Sequence, residues 1–452
     1  MNANHNGKFY HSVYLDESKC VGCINCLKGC ETEAIRVHAG KSHIISDFCI
    51  DCGECVRRCA HHARLADSDS LDEMENYRFN IALPAPSLYA QFNNLDDINT
   101  VLNALVDLGF DRVFEVSGAA ELVSEKTREY IAEHEDDWPI LSTACPTVLR
   151  LIRVRFPNLI PHLLPMRAPV ELAARIARRR AVRETGLSAD QIGIFFISPC
   201  PSKVTEAHEP IASDHSEIDH VIAIKDIYPL LLSAMKRHLH DPTDRTISGK
   251  IGVGWGLSGG EAAGLFEEDI LSADGLNNVI QVLEDLEDEK FKQPLKFIEL
   301  NACPSGCVGG IFTVENPYLA ASKLRHLNKY LPVARSRCDE YIEPLDFFLD
   351  KEITYIPVYS LGNDFVESMR NMQRAERILS KLPLFDCGSC GAPTCKALAE
   401  DIVRGRASMD DCIYNLRDQY VQLAHLNSQL MKGNNSDEGN RFNKETESED
   451  DQ

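Results

Sequence analysis

ELNACPSGCVGG (299–310) sets two cysteines four apart on a Pro- and Gly-rich turn that directly follows an apolar, strand-like run. LSTACPTVL (141–149) and ISPCPSKVTE (197–206) repeat the first half of that design, each with a Cys-Pro pair at the end of an apolar run. Loops at the carboxyl ends of parallel strands are where α/β sheets build sites. Cys145, Cys200, Cys303 and Cys307 are therefore expected to converge on one cubane iron–sulfur cluster. No single stretch decides this; three Cys-Pro turns together with a Cys-x3-Cys spacing do.

Outward from these turns, residues 79 to about 350 alternate apolar runs with amphipathic stretches. NIALPAPSLY, DRVFEV, WPILSTA, QIGIFFISP, DHVIAI, GKIGVGWG and KFIEL read as buried strands, and 98–108, 121–133, 168–184, 226–238 and 277–288 read as helices. The pattern predicts an α/β domain over 76–350 with two lobes and mixed, mostly parallel sheets. Gly254-x-Gly256-x-x-Gly259 formally fits a dinucleotide fingerprint, but that motif is weak alone. A tight turn against the cysteine pocket is the better reading.

Residues 1–75 are Cys-dense and poor in large apolar side chains, so metal must supply most of their folding energy. Cys20-x2-Cys23-x2-Cys26-x3-Cys30 and Cys49-x2-Cys52-x2-Cys55-x3-Cys59 match the run of two-cluster ferredoxins, in which the fourth cysteine crosses to the other cluster. Cys20, Cys23, Cys26 and Cys59 would hold one 4Fe–4S cluster, and Cys49, Cys52, Cys55 and Cys30 the second. Zinc knuckles use four ligands in pairs and do not produce two runs of four. The usual Pro after the last cysteine is replaced by Glu31 and Ala60. An α+β ferredoxin-like domain is expected here, followed by an acidic linker, DSDSLDEMEN (67–76).

Beyond a connector at 351–380 lies a second Cys-rich module at 381–412, expected to be small and helical. It spaces Cys387-x2-Cys390-x4-Cys395-x16-Cys412, with Gly388 and Gly391 letting the backbone pass close to a cluster. Then IYNLRDQYVQLAHLNSQLM (413–431) places Leu416, Tyr420, Leu423 and Leu430 at near-heptad spacing, which suits a short coiled coil over 413–432 and a possible homodimer. The polar stretch 433–452 reads as disordered.

The totals bound the rest. Seventeen cysteines in a chain with no signal-peptide-like apolar core read as metal ligands in a reducing, cytoplasmic setting. No run approaches a membrane span. A formal charge of −22 argues against nucleic acid and against an anionic membrane surface as partners. Cys338 stands outside every pattern and is expected to be an inert thiol.

The middle motifs resemble the FeFe-hydrogenase large-subunit family, whose signatures are close to TSCCPxW, MPCxxKxxE and ExMxCxxGCxxGGG. The resemblance spans roughly 79–345, in the right order. It implies that Cys145, Cys200, Cys303 and Cys307 hold the 4Fe–4S half of an H-cluster, with Cys307 bridging to a two-iron subsite carrying CO, cyanide and a dithiolate. It implies too that Lys203 hydrogen-bonds a cyanide ligand and that Glu206 fixes its loop. With the N-terminal pair and the C-terminal module, four 4Fe–4S clusters are expected. The C-terminal spacing resembles the small 4Fe–4S domain of corrinoid iron–sulfur proteins and of an Rnf electron-transport subunit.

The departures fall on one side of the chemistry. Where catalytic members carry the proton-passing cysteine, this chain has Ala144; the relay serine aligns with Leu164, and the relay glutamates fall near Glu125–Thr127. The methionines flanking the two-iron subsite become Ser198 and Asn301, expected to add hydrogen-bond donors beside the iron ligands, and the third Gly of the last signature is Ile311. A missing acid/base relay costs about 10²–10⁴ in rate. The pattern resembles the sensory-type branch, implying a hydrogen or redox sensor with slow turnover that reports to a ferredoxin-like carrier or a signalling partner. The alternatives are a working hydrogenase (2H+ + 2e− ⇌ H2) and a scaffold like the eukaryotic hydrogenase-related assembly factors. Retained Lys203 and the extra C-terminal module disfavour the scaffold.

Overall fold

The computed structural model describes residues 10–239, 241, 243–338 and 344–442, with side chains described as far as Met431. They fall into two compact units. The first holds Gly29–Ala34, Ile44–Tyr359 and the chain as far as Val21; the second holds Gly22–Lys28, Ile35–His43 and the chain from Ser360. The N-terminal 75 residues are thus divided between the two units and do not form a unit of their own.

The strands are β1 (Val13–Leu15), β2 (Ile35–His38), β3 (Lys41–Ile44), β4 (Arg64–Ala66), β5 (Phe79–Pro84), β6 (Arg112–Val113), β7 (Ile140–Leu141), β8 (Ile192–Ser198), β9 (His220–Ala223), β10 (Ile270–Asp274) and β11 (Phe297–Asn301). In the first unit β1 and β4 pair antiparallel. A four-stranded sheet runs β6-β5-β8-β9 and a three-stranded sheet runs β10-β11-β7. Every pairing in these two sheets is parallel, purer than the mixed sheets expected. All seven residues of β8 are buried, because helices cover both of its faces. Phe195 and Ile197 enter one core with Leu88, Val101 and Leu324, while Ile194 and Phe196 enter the other with Leu122, Ala173 and Val221.

The helices are α1 (Asn25–Lys28), α2 (Glu54–Arg57), α3 (Pro86–Tyr89), α4 (Asn99–Asp107), α5 (Val116–Glu133), α6 (Pro146–Arg155), α7 (Pro169–Thr185), α8 (Pro201–His208), α9 (Ile224–Met235), α10 (Lys250–Gly254), α11 (Gly260–Ala263), α12 (Leu276–Glu287), α13 (Pro317–Asn328), α14 (Phe365–Leu379), α15 (Cys395–Val403) and α16 (Ile413–Phe442). Pro146 and Pro201 each start a helix directly after a cysteine, where the missing N–H costs nothing. Each Cys-Pro pair follows a strand as expected; two of the three lead into a helix, while Cys303-Pro304 leads into a turn.

Four expectations change. GKIGVGWG is not a strand: Lys250–Gly254 is α10, a short helix with Gly252, Val253 and Gly254 buried and Gly252 against the Ser117 backbone. Its small residues allow that approach, and an apolar run alone cannot tell a buried helix from a buried strand. The acidic stretch 67–76 is docked, since the Asp69 N–H donates to Val221 O and Val221 N–H to Asp69 Oδ2. The connector carries α14, and α16 runs on to Phe442, ten residues into the stretch read as disordered. Residues 443–452 lie outside the described residues.

In the second unit β2 and β3 form a hairpin turned by Ala39 and Gly40, both at positive φ. Around Leu382, Ala392, Ala397 and Leu398 a small core includes Cys395 and Cys412. Arg36 of β2 makes a buried ion pair with Asp401 of α15, and Val37 N–H donates to Gly391 O over 2.9 Å. No described helix is long and apolar enough to cross a membrane.

Candidate metal centre

β7, β8 and β11 all end at one cavity. Ser142–Cys145, Pro199–Cys200 and Ala302–Cys303 continue straight off their carboxyl ends, and the cavity is lined by Cys145, Cys200, Cys303 and Cys307 together with Lys203. All four thiols are free, and Cys307 opens onto the cavity. Burial, reinforced by the charge of Cys145, pushes Cys200 up to about 11. Burial and the neighbouring Cys145 and Cys200 push Cys307 up to about 12. Burial likewise holds Cys303 far above an ordinary thiol, with Cys200, Cys145 and Cys307 adding to it. Four soft sulfur donors gathered in one cavity are a donor set that a bound cation completes, and thiolate sets select iron–sulfur clusters or zinc. The residues present fit an iron–sulfur cluster.

Lys203 sits in the first turn of α8 and lowers the thiols of Cys200 and Cys307 by its charge. Glu206, one turn on, accepts the Ile211 N–H (3.3 Å) and lies 3.7 Å from Arg150, so it fixes its loop. Ala144 lines the cavity with a methyl group. Leu164 is packed in an apolar core, Glu125 accepts the Cys338 N–H (3.1 Å), and Thr127 turns to Met166, so none of these lines the cavity. Ser198 does not line it either. Its hydroxyl is fully buried and hydrogen-bonds the N–H and C=O of Cys200, so it shapes a ligand loop and is no donor into the cavity. Asn301 lines the cavity but spends its amide on Glu299 (2.6 Å).

That carboxylate is one of a pair missed from the sequence. Glu261 and Glu299 are both buried and both line the cavity. Glu299 accepts from Gly259 N–H (3.0 Å), Ala262 N–H (2.9 Å) and Asn301, which stabilise its charge; Glu261 accepts only the Ser142 hydroxyl (2.6 Å). Burial first, and then the charge of Glu299, pushes Glu261 well above the carboxylate range, so Glu261 keeps the pair's proton. The signal available in the sequence was an acid in the middle of the apolar strand FIELN.

Cys30, Cys49, Cys52 and Cys55 also come together in the first unit. Burial pushes Cys49 and Cys52 far up, and each feels the charges of Cys30 and Cys55. His11, Cys49 and Asp51 lie within 4.8 Å of one another, but His11 is taken by Asp51 (2.7 Å) and Ser46 (2.8 Å), so this trio is a hydrogen-bonded brace. The cysteine loop is fastened to the cavity loops: Arg57 donates to Gly309 O (2.7 Å), Ser12 to Pro201 O (2.8 Å), and Cys52 and Cys145 pack on the same apolar core. Of the remaining N-terminal set, Cys20 and Cys59 belong to the first unit and Cys23 and Cys26 to the second. In the second unit a recess is lined by Cys387, Cys390, Cys395 and Cys412, and Lys28 donates to the carbonyls of Asp386 and Pro393 beside it. Cys338 is half-buried and pushed up to about 12 by burial and by Glu125, which leaves it an unreactive thiol.

Parallel α/β lobes with cysteines at the strand ends define an iron–sulfur protein of the hydrogenase type. The model of the iron-only hydrogenase large subunit, C-terminal domain, matches residues 78–268 and 261–311, more than half of the chain, so the chain belongs to that family. A 4Fe-4S dicluster domain matches 12–60 and a putative Fe-S cluster domain matches 382–414. Among relatives, Iron hydrogenase 1 of Clostridium pasteurianum is 23% identical over 66% of this chain and 64% of its own length. The periplasmic Fe hydrogenase large subunit of Nitratidesulfovibrio vulgaris is 25% identical over 66% of this chain and 86% of its own. A cytosolic Fe-S cluster assembly factor NAR1 homolog of Schizosaccharomyces japonicus is 22% identical over 50% and 47%. The chain thus spans less than two thirds of the length of the first of these. An apo FeFe-hydrogenase from Chlamydomonas reinhardtii superposes with a TM-score of 0.47 at 15% identity, covering 64% of this chain and 97% of that one.

Proposed function

We propose that this iron–sulfur protein holds an H-cluster in the Cys145–Cys200–Cys303–Cys307 cavity and uses it to respond to hydrogen or redox state, turning hydrogen over slowly. The observation that carries the reading is a division within one cavity. Four thiols and Lys203 are in place, whereas Ala144, beside the first ligand, has nothing that can pass a proton. When bound, a 4Fe–4S cluster with a two-iron subsite supplies the redox chemistry that interconverts hydrogen with protons and electrons. Cys145, Cys200, Cys303 and Cys307 would hold it, and the Lys203 ammonium would donate to an anionic ligand in a buried setting. Glu261, on the cavity lining, holds a proton at its carboxyl while accepting the Ser142 hydroxyl. Ser198 and Asn301 act on the ligand loop and on Glu299.

The other cysteine sets support exchange of electrons with this cavity. The Cys30, Cys49, Cys52 and Cys55 set is braced against the cavity loops, and the C-terminal set would hold a further cluster, four 4Fe–4S clusters in all. A ferredoxin-like carrier or a signalling partner would take the electrons. The second reading, an assembly factor with no two-iron subsite, is favoured by the likeness to the NAR1 homolog and disfavoured by Lys203, which lines the cavity. Infrared spectroscopy after loading with a synthetic two-iron precursor separates them. CO and cyanide bands are expected, and their absence overturns the hydrogenase reading in favour of the scaffold. With the bands present, hydrogen oxidation at the rate of efficient hydrogenases would overturn the sensor in favour of the enzyme.

A further inference from the structure

We propose that α16 pairs with the α16 of a second copy of this chain as a parallel, in-register, two-stranded coiled coil. Within α16 the apolar stripe runs over 413–431, about 28 Å at 1.5 Å per residue. From Ile413 its side chains follow a heptad in which Ile413, Tyr420 and Asn427 take the a positions and Leu416, Leu423 and Leu430 the d positions. The stripe is uncovered: Leu423 is 65% and Leu430 68% exposed, and Ile413, Leu416, Tyr420 and Leu423 line a shallow apolar recess along the helix. A helix in water does not keep three leucines on one line unless something removes them from solvent.

The occupant follows from the same register. Leu at every d position suits two-stranded parallel pairing, and a single polar Asn at an a position fixes register and orientation, because it is satisfied only by another Asn facing it across the seam. In that arrangement Asn427 meets Asn427 of the second copy. The flanking positions agree: Gln419 comes beside Ala424 and Leu426 beside Met431, so no like charges oppose one another. Asp418 is the only acid between 413 and 431, and it lies at the outward f position. On a chain of formal charge −22 this is the surface along which two copies can approach without repulsion.

The test uses the full-length, cluster-loaded protein and light scattering after size exclusion. The native chain is expected at twice its 50.5 kDa mass; a monomer at all concentrations overturns the proposal. Asn427→Asp and Asn427→Lys each place like charges across the seam and are expected to weaken association at least about tenfold, with unchanged iron content and cluster absorption. Variants that stay fully dimeric overturn the placement of residue 427 in the interface. Mixing the two variants is expected to restore dimers, since Asp then faces Lys. Failure of the mixture to recover overturns the parallel register, and the native chain seated on a different protein's helix would be seen as a heteromer in place of the homodimer.

Discussion

Ala144 and Glu261 stand on two sides of one cavity and make opposite statements about protons. Ala144 has nothing to transfer; Glu261 holds a proton that burial will not let it release. If the missing relay limits turnover, Ala144→Cys is expected to raise hydrogen oxidation by about 10²-fold or more in the loaded protein. An unchanged rate places the limit elsewhere. Glu261 makes a prediction that needs no activity. Its folded pKa is raised, so the folded state binds a proton that the unfolded chain releases just above the ordinary carboxylate range. That contribution is full below the unfolded value and is lost as pH rises toward the folded one, at no more than about 1.4 kcal/mol per pH unit. Glu261→Gln, which can still accept from Ser142, is expected to flatten the fall in denaturant midpoint between about pH 5.5 and about pH 8. An equal fall in both proteins would mean that Glu261 is already ionised. Glu299 stands at the first position of the third signature, but the pair was not legible, because it exists only when β11 and α11 meet. The four thiols were legible, because each is written on the turn after a strand: Cys145 after β7, Cys200 after β8, Cys303 and Cys307 after β11.

At the scale of elements, the turn that carries Cys52 shows how closely the 49–55 loop approaches the cavity. Gly53 has φ +72, and a Cβ there would lie 2.5 Å from Ile311 Cγ1 and 3.1 Å from Pro201 Cγ. Gly186, at the end of α7, has φ +69 with nothing within 4 Å. Gly186→Ala therefore reports the backbone cost alone, about 1 kcal/mol, while Gly53→Ala adds crowding and is expected to cost about 2–3 kcal/mol in urea unfolding. Equal losses would show that the loop yields freely. The Ile311 that departs from the family's third glycine is the side chain filling this space. From sequence alone that was a blemish in a motif, because only the fold brings residue 311 to residue 53. The strands were readable for a different reason: β8 and β11 are buried, largely apolar runs with a cysteine two residues beyond each end, whereas β10, half-buried at a sheet edge, gave no clear run. α10 misled because glycine and branched residues signal a strand until a buried helix with close backbone contacts is considered.

At the scale of the molecule, apolar burial and cysteine sets hold different regions together. Residues 79–328 contain three large apolar cores around two parallel sheets, whereas the core of the C-terminal module consists of a few alanines and leucines around Cys395 and Cys412. Residues 12–66 have short strands and few large buried side chains. A structure without a large core takes its folding energy from its metal. Removing iron with an anaerobic chelator is therefore expected to leave 79–328 folded while 12–66 and 382–412 lose amide-exchange protection and become cleavable. The tie between Arg36 and Asp401 sharpens this within the second unit, since a buried ion pair joins β2 directly to α15. β2 should then lose protection together with α15 and not after it. Protection that survives in 12–66 after complete loss of iron would show that packing, and not metal, carries that stretch, and the division of labour read from the cysteine spacing would have to be abandoned.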